Sequence, residues 1–141
     1  MPKLSDRVQT FTDSVIRRMT RISDEHGAIN LSQGFPDFDP PKPILDALAK
    51  VAYEGPHQYS VTYGAENLRE ALARKASKAM KREIDPETQV VVTCGGTEAM
   101  MGVVMSICNP GDKIMVFSPF YENYSADAIL SGAEPIFIPL V

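Results

Sequence analysis

Much of what would commit a chain to a specialised class is missing from this sequence. There is no excess of positive charge: the formal net charge is −4 at pH 7, which gives no support to nucleic-acid binding. Its single basic cluster, Arg17, Arg18 and Arg21, reads as the solvated face of a helix. No apolar run reaches the ~18 residues of a membrane span, and the N-terminus lacks a signal-peptide core. Cys94 and Cys108 are the only cysteines, and they stand in neither a CxxC nor a metal-ligand spacing. Both fall in apolar segments, which predicts buried free thiols. These absences fit a cytoplasmic protein. His26 and His57 have no evident acid, base or nucleophile partner and read as surface residues. Neither GxGxxG nor GxxxxGK[ST] occurs, so a nicotinamide enzyme is disfavoured. There is no internal repeat and no low-complexity segment.

What is present suits an ordinary globular domain. The 141 residues are 44% apolar and 23% charged, enough to bury most of the apolar surface of one domain. Val8, Phe11, Val15, Met19 and Ile22 recur at helical spacing and predict a helix over 5–26, capped by Ser5 or Asp6 and ended by Gly27. Residues 28–31 read as a short extended piece, and the proline-rich run 32–41 as irregular. Pro43 opens a second helix through about Tyr53, broken by Gly55-Pro56. A third helix is predicted over 66–82, with Leu68, Ala71, Leu72, Ala76 and Ala79 inward and Glu70 beside Arg74.

From residue 89 the texture changes. Strand-like 89–94, helix 97–108, the turn cluster Asn109 to Asp112, strand-like 113–117, helix 122–131 and strand-like 134–140 follow in turn. This β-α-β-α-β order predicts an α/β fold with a largely parallel sheet and right-handed crossovers. Its nearly non-alternating strands predict burial on both faces.

Gly95-Gly96 stands where the first of those strands meets a helix. Parallel sheets bind ligands at the carboxyl ends of their strands, and the first amides of a helix attract anions, phosphate above all. Glycine allows close approach, and Thr97 adds a hydroxyl. Glu98 must offer its backbone N–H and not its carboxylate. A glycine turn that only joins strand to helix explains the pair equally well. Tyr121 follows another strand and can lay its ring against a flat ligand, or simply pack in its loop. Tyr59 and Tyr63 lie in a polar loop where a hydroxyl can reach a phosphate or merely pack. Gly34 can approach a carboxylate through its backbone, or serve as a turn glycine.

Taken together, "INLSQGFPDFDPP", "HQYSVTYGAENLREALA", "VVVTCGGTEAM", "NPGDKIMVFSPFYENY" and "SGAEPIFIPL" resemble the N-terminal part of a class I/II aminotransferase of fold type I. The flavour is that of the kynurenine, glutamine and methionine aminotransferases. The resemblance implies pyridoxal 5′-phosphate as cofactor and an L-amino acid and a 2-oxo acid as substrates. It implies a homodimer with active sites at its interface. It assigns Gly95, Gly96, Thr97 and Glu98 to the phosphate-binding turn and Tyr121 to the face of the pyridine ring. By the same likeness Tyr59 reaches the phosphate of the neighbouring subunit's cofactor, and Gly34 lies beside the substrate carboxylate. Residues 1–44 then correspond to the N-terminal arm and small-domain segment, and 45–141 to the start of the large domain.

The resemblance also exposes a gap. Such enzymes hold the cofactor through a Schiff-base lysine that also moves the α-proton. None of Lys3, Lys42, Lys50, Lys75, Lys78, Lys81 and Lys113 stands in a motif resembling that site. About the first third of such an enzyme is represented, and no catalytic residue is assigned. A sheet of about three strands leaves open edges and uncovered apolar faces, so the 141 residues alone are expected to be marginally stable and inactive. Two other readings stand beside the aminotransferase. One is β-elimination on the same scaffold. The other is a non-catalytic fragment that binds phosphate or a full-length subunit.

Overall fold

The computed structural model describes residues 3–141. In chain order it has a 3₁₀ turn (Asp6–Val8) and helices α1 (Val15–Glu25), α2 (Lys42–Glu54), α3 (Glu66–Met80) and α4 (Gly95–Ile107). Strand β1 (Lys113–Ser118), helix α5 (Asn123–Leu130) and strand β2 (Glu134–Pro139) complete it. The chain divides into two compact units, one made of residues up to Phe35 with Cys94–Val141, the other of Pro36–Thr93.

The first unit is built on a parallel pair. β1 lies beside β2 in register from Lys113 opposite Glu134 to Ser118 opposite Pro139. Their starts are fixed by the turn cluster: the Gly111 N–H donates to the Gly132 carbonyl at 2.9 Å and the Glu134 N–H to the Asp112 carbonyl at 2.8 Å. Gly132, at φ +84°, ends α5 as the sequence predicts. α5 packs on both strands and on α4. The buried apolar positions in this unit are Val104, Val116, Ala128 and Ala133. Three of the four are on or beside the strands and α5, where small side chains allow close approach.

Two expectations for the sheet are corrected. Burial on both strand faces is not observed: Val116 is buried while its neighbour Met115 is 70% exposed, so β1 is covered on one side. Residues 89–94 form no strand, because an apolar run becomes one only beside a ladder of backbone partners. Among the described residues the sheet holds β1 and β2 alone. The Val92 N–H donates instead to the Tyr63 carbonyl at 2.9 Å.

α1 also differs from expectation. It starts at Val15, with the Ser14 hydroxyl accepting from the Arg17 N–H at 3.4 Å. Thr10, Thr12, Asp13 and Ser14 favour turns and caps over helix interior, so the chain makes a 3₁₀ turn and restarts. Neither Ser5 nor Asp6 caps it. The far end is as predicted, with Gly27 at φ +57°. The stripe of Phe11, Val15, Met19 and Ile22 is exposed. Arg21 pairs with Asp13, and Arg17 and Arg18 are in solvent.

In the second unit, α2 carries Pro43 in its first turn and ends at Gly55. α3 carries the Glu70–Arg74 pair at 3.7 Å. Its inward face is not the predicted one. Arg69 and Ala73 are buried, while Leu68 and Leu72 are exposed. The neighbours on the buried side are backbone carbonyls, which call for a donor and not for a leucine. Ala73 and Ile84 are the buried apolar side chains of this unit.

The cysteines are free, as expected, but neither is buried: Cys94 is exposed and Cys108 half-buried. Cys94 stands at the N-cap position of α4 without capping it through its side chain, which meets solvent. His26 and His57 are exposed. Among the described residues no helix is long and apolar enough to cross a membrane.

Candidate functional site

α4 begins at Gly95, so the glycine pair forms the first turn of the helix instead of preceding it. Gly95 has φ +78°, a conformation that L side chains rarely adopt. A Cβ built at Gly95 or Gly96 meets nothing within 4 Å, so the backbone here faces open space. The amides of the first turn have no acceptor inside their own helix. The Glu98 carboxylate, in the first turn of α4, turns back and accepts from the Cys94 N–H. It is thereby held at the helix start by the amide that precedes the turn.

Thr97 is held from a second element. Asn123 Nδ2 donates to Thr97 Oγ1 at 2.8 Å. With its oxygen accepting there, the hydroxyl keeps its one proton to donate elsewhere. This bond joins the first turn of α4 to the start of α5, just past the carboxyl end of β1. Asn123 escaped the sequence reading. Its signal was modest: a donor side chain two residues after the candidate Tyr121, at a helix start that follows a strand.

Tyr121 lies in that same connection, 49% exposed. Its ring meets Tyr124 edge-on, with centroids 5.9 Å apart and planes at 80°. Phe120 stacks on Phe137 at 5.1 Å and 14°, pinning the connection to β2. A hollow of about 520 Å³ opens here, lined by Met100, Val104, Phe117, Phe120, Tyr121 and Tyr124 among others. An anion-receptive helix start and an aromatic, mostly apolar hollow thus belong to one unit.

Three further candidates remain. Tyr59 is fully exposed and belongs to the second unit, as does Tyr63. Gly34 is in the first unit, on an open loop where an added Cβ would meet nothing within 4 Å. The loop before it is tied to α1, since Asn30 Nδ2 donates to Thr20 Oγ1 at 3.0 Å. All seven lysines are on the surface. Lys42 and Lys50 are engaged by Asp46 and Glu54 one turn on in α2.

This arrangement has relatives. Residues 26–141 match the family model described as aminotransferase class I and II. The chain belongs to the class I and II aminotransferases. Over 135 residues it is 36% identical to the probable N-succinyldiaminopimelate aminotransferase DapC of Mycobacterium tuberculosis, covering 96% of this chain and 34% of that protein. It is 31% identical over 139 residues to kynurenine–oxoglutarate transaminase 3 of Rattus norvegicus, covering 98% of this chain and 31% of that protein. Among solved structures, the Escherichia coli protein YbdL, identified as having a methionine aminotransferase function, superposes with a TM-score of 0.91 at 31% identity. That match covers all of this chain and 37% of the other. The chain therefore spans about a third of the length of the aminotransferases it matches. Its fold is the N-terminal part of a fold type I transferase, and its family depends on pyridoxal phosphate.

Proposed function

We propose that this chain is the cofactor-cradling N-terminal part of an aminotransferase that moves an amino group between an L-amino acid and a 2-oxo acid. The observation that carries the reading is the Asn123–Thr97 bond, which holds the first turn of α4 beside the loop of Tyr121. Open space over Gly95 and Gly96 suits the phosphate of pyridoxal phosphate, and the half-exposed Tyr121 suits its ring. When bound, the cofactor supplies the electron sink that lets the substrate's α-proton leave.

The chain's own residues bind and orient. The amides of Gly96 and Thr97 and the Thr97 hydroxyl hold phosphate oxygens, while Gly95 keeps the approach clear. Glu98 keeps its carboxylate on Cys94 and adds only its backbone to the turn. Tyr121 stacks on the ring and excludes water from one face. Tyr59 reaches the phosphate of a second subunit's cofactor in a homodimer. Gly34 lets backbone approach the substrate carboxylate. Residues 1–44 act as the N-terminal arm and small-domain segment, and 45–141 begin the large domain, in a cytoplasmic enzyme.

The relatives above are named for three different amino donors at similar identity, so the reading stays at the level of amino acid and oxo acid. The 141 residues by themselves offer only exposed lysines and are expected to be inactive. The test is the intact mass of the polypeptide from its source, followed by a transamination assay on that material. A mass near three times 15.5 kDa together with amino transfer supports the reading. A longer polypeptide that binds pyridoxal phosphate but transfers no amino group overturns it.

A further inference from the structure

The Tyr59 loop is held by a residue that the proposed chemistry does not use. Arg69, in the first half of α3, is a charged side chain only 4% exposed. A guanidinium is tolerated at such depth only when its donors are met. Arg69 Nε donates to the Gly64 carbonyl at 3.0 Å and Nη1 to the Pro86 carbonyl at 2.7 Å. Nη1 also pairs with Glu87 Oε1 at 2.9 Å. One planar fork thus joins the helix to the loop before it and to the turn after it.

The loop is gripped by a second segment as well. Val92 N–H donates to the Tyr63 carbonyl at 2.9 Å, and the Gly64 N–H closes a turn onto the Val61 carbonyl at 2.9 Å. Gly64 sits at φ +109°, where an added Cβ would lie 2.5 Å from Val92 Cγ2. Consecutive carbonyls, those of Tyr63 and Gly64, are therefore fixed from two different segments, residues 89–94 and α3. Yet Tyr59, four residues before Tyr63, projects wholly into solvent. A side chain with no packing of its own takes its direction from the backbone that carries it.

The geometry points to Arg69 as a positioning residue: it fixes the loop of residues 59–64 so that the Tyr59 hydroxyl is presented to a cofactor phosphate. This rests on the proposed role of Tyr59. Lysine replaces it only in part, because a single ammonium lacks the fork that spans two carbonyls on different segments.

The test uses the full-length protein from its source, made as Arg69→Met, Arg69→Lys, Tyr59→Phe, Arg69→Met with Tyr59→Phe, and Arg74→Met as an exposed control on the same helix. Amide exchange is followed at Gly64 and Val92, with α4 and β1 as internal references. Affinity is measured for pyridoxal phosphate and for pyridoxal, which lacks the phosphate. Arg69→Met is expected to speed exchange at Gly64 and Val92 by about tenfold or more relative to the references, and Arg69→Lys to fall between. Arg69→Met and Tyr59→Phe are each expected to weaken pyridoxal phosphate and spare pyridoxal, with the double variant no worse than the worse single. If Arg69→Met does not fold, Arg69→Lys carries the same comparison. Unchanged exchange, or a rise shared by every amide, overturns the proposal. So does a loosened loop with phosphate preference intact while Tyr59→Phe loses it. If Tyr59→Phe leaves the preference intact while Arg69→Met loosens the loop, the Tyr59 reading fails and the hold of Arg69 on the loop stands.

Discussion

The two units of this chain solve the same problem with opposite means. The unit carrying the glycine turn is held by a parallel strand pair and by small apolar side chains, with Ala128 fully buried between α5 and its neighbours. The unit carrying Tyr59 has no strand; beside Ala73 and Ile84 it buries a charged side chain bonded to backbone carbonyls. Apolar contacts are numerous and individually weak, so the first unit should absorb local damage. A hydrogen-bonded clamp concentrates its stabilisation in a few groups, each costly to leave unmet.

Glycine replacements offer the largest break in that comparison. Gly64→Ala puts a methyl against Val92 at a backbone conformation alanine resists. The expected loss is about 3–5 kcal/mol from overpacking and strain together, read as a fall in the urea midpoint. Gly95→Ala has the same backbone problem but open space around it. Its cost should stay at about 1–2 kcal/mol. Shortening the neighbour, as Val92→Ala in the Gly64→Ala background, should recover part of the first loss, since residues in contact couple. Equal losses for the two glycines would erase the distinction between the units.

A smaller effect tests the first unit's site. Removing Asn123 Nδ2 by Asn123→Ala leaves the Thr97 hydroxyl unoriented, and Thr97→Val removes it. Each should weaken pyridoxal phosphate about tenfold, the worth of one hydrogen bond to a charged group. Neither should alter affinity for pyridoxal. Equal weakening of both ligands would mean that Thr97 serves the fold and not the phosphate.

The same contrast governs what could be read in advance. Elements bounded by stereochemical punctuation were legible: Pro43 and Gly55 for α2, Gly132 between α5 and β2. That a helix starts at the glycine pair was legible, because glycine punctuation is local. The inward face of α3 was not, since apolar spacing finds leucines while the buried neighbours were the carbonyls of Gly64 and Pro86. The strand expected at 89–94 failed for a related reason: ladder partners lie far away in sequence, and composition does not reveal them. Asn123 was missed because a hydrogen bond across 26 residues leaves no periodic trace.

The smallest effect, and the one that separates the units by sign, is their response to acid. In the first unit Asp127 is 3% exposed, and one of its carboxylate oxygens is buried without a partner. Burial pushes its carboxyl above the usual range. A raised folded pKa means this group's contribution is fully present below the unfolded pKa and is lost as pH rises through the folded one. At neutral pH the carboxylate is therefore a burden, and Asp127→Ala should stabilise the protein by about 1 kcal/mol. In the second unit Asp85 is held low, first by the Thr88 hydroxyl and then by the Glu87 N–H. Its contribution is present above the unfolded pKa and lost as pH falls through the folded one. Urea midpoints taken from neutral to acid pH should therefore lose a downward slope in Asp85→Asn. They should lose an upward one in Asp127→Ala. Slopes of the same sign in both variants would mean that Asp127 finds a partner in solution, and that the buried carboxylate of the first unit behaves like the exposed, hydrogen-bonded one of the second.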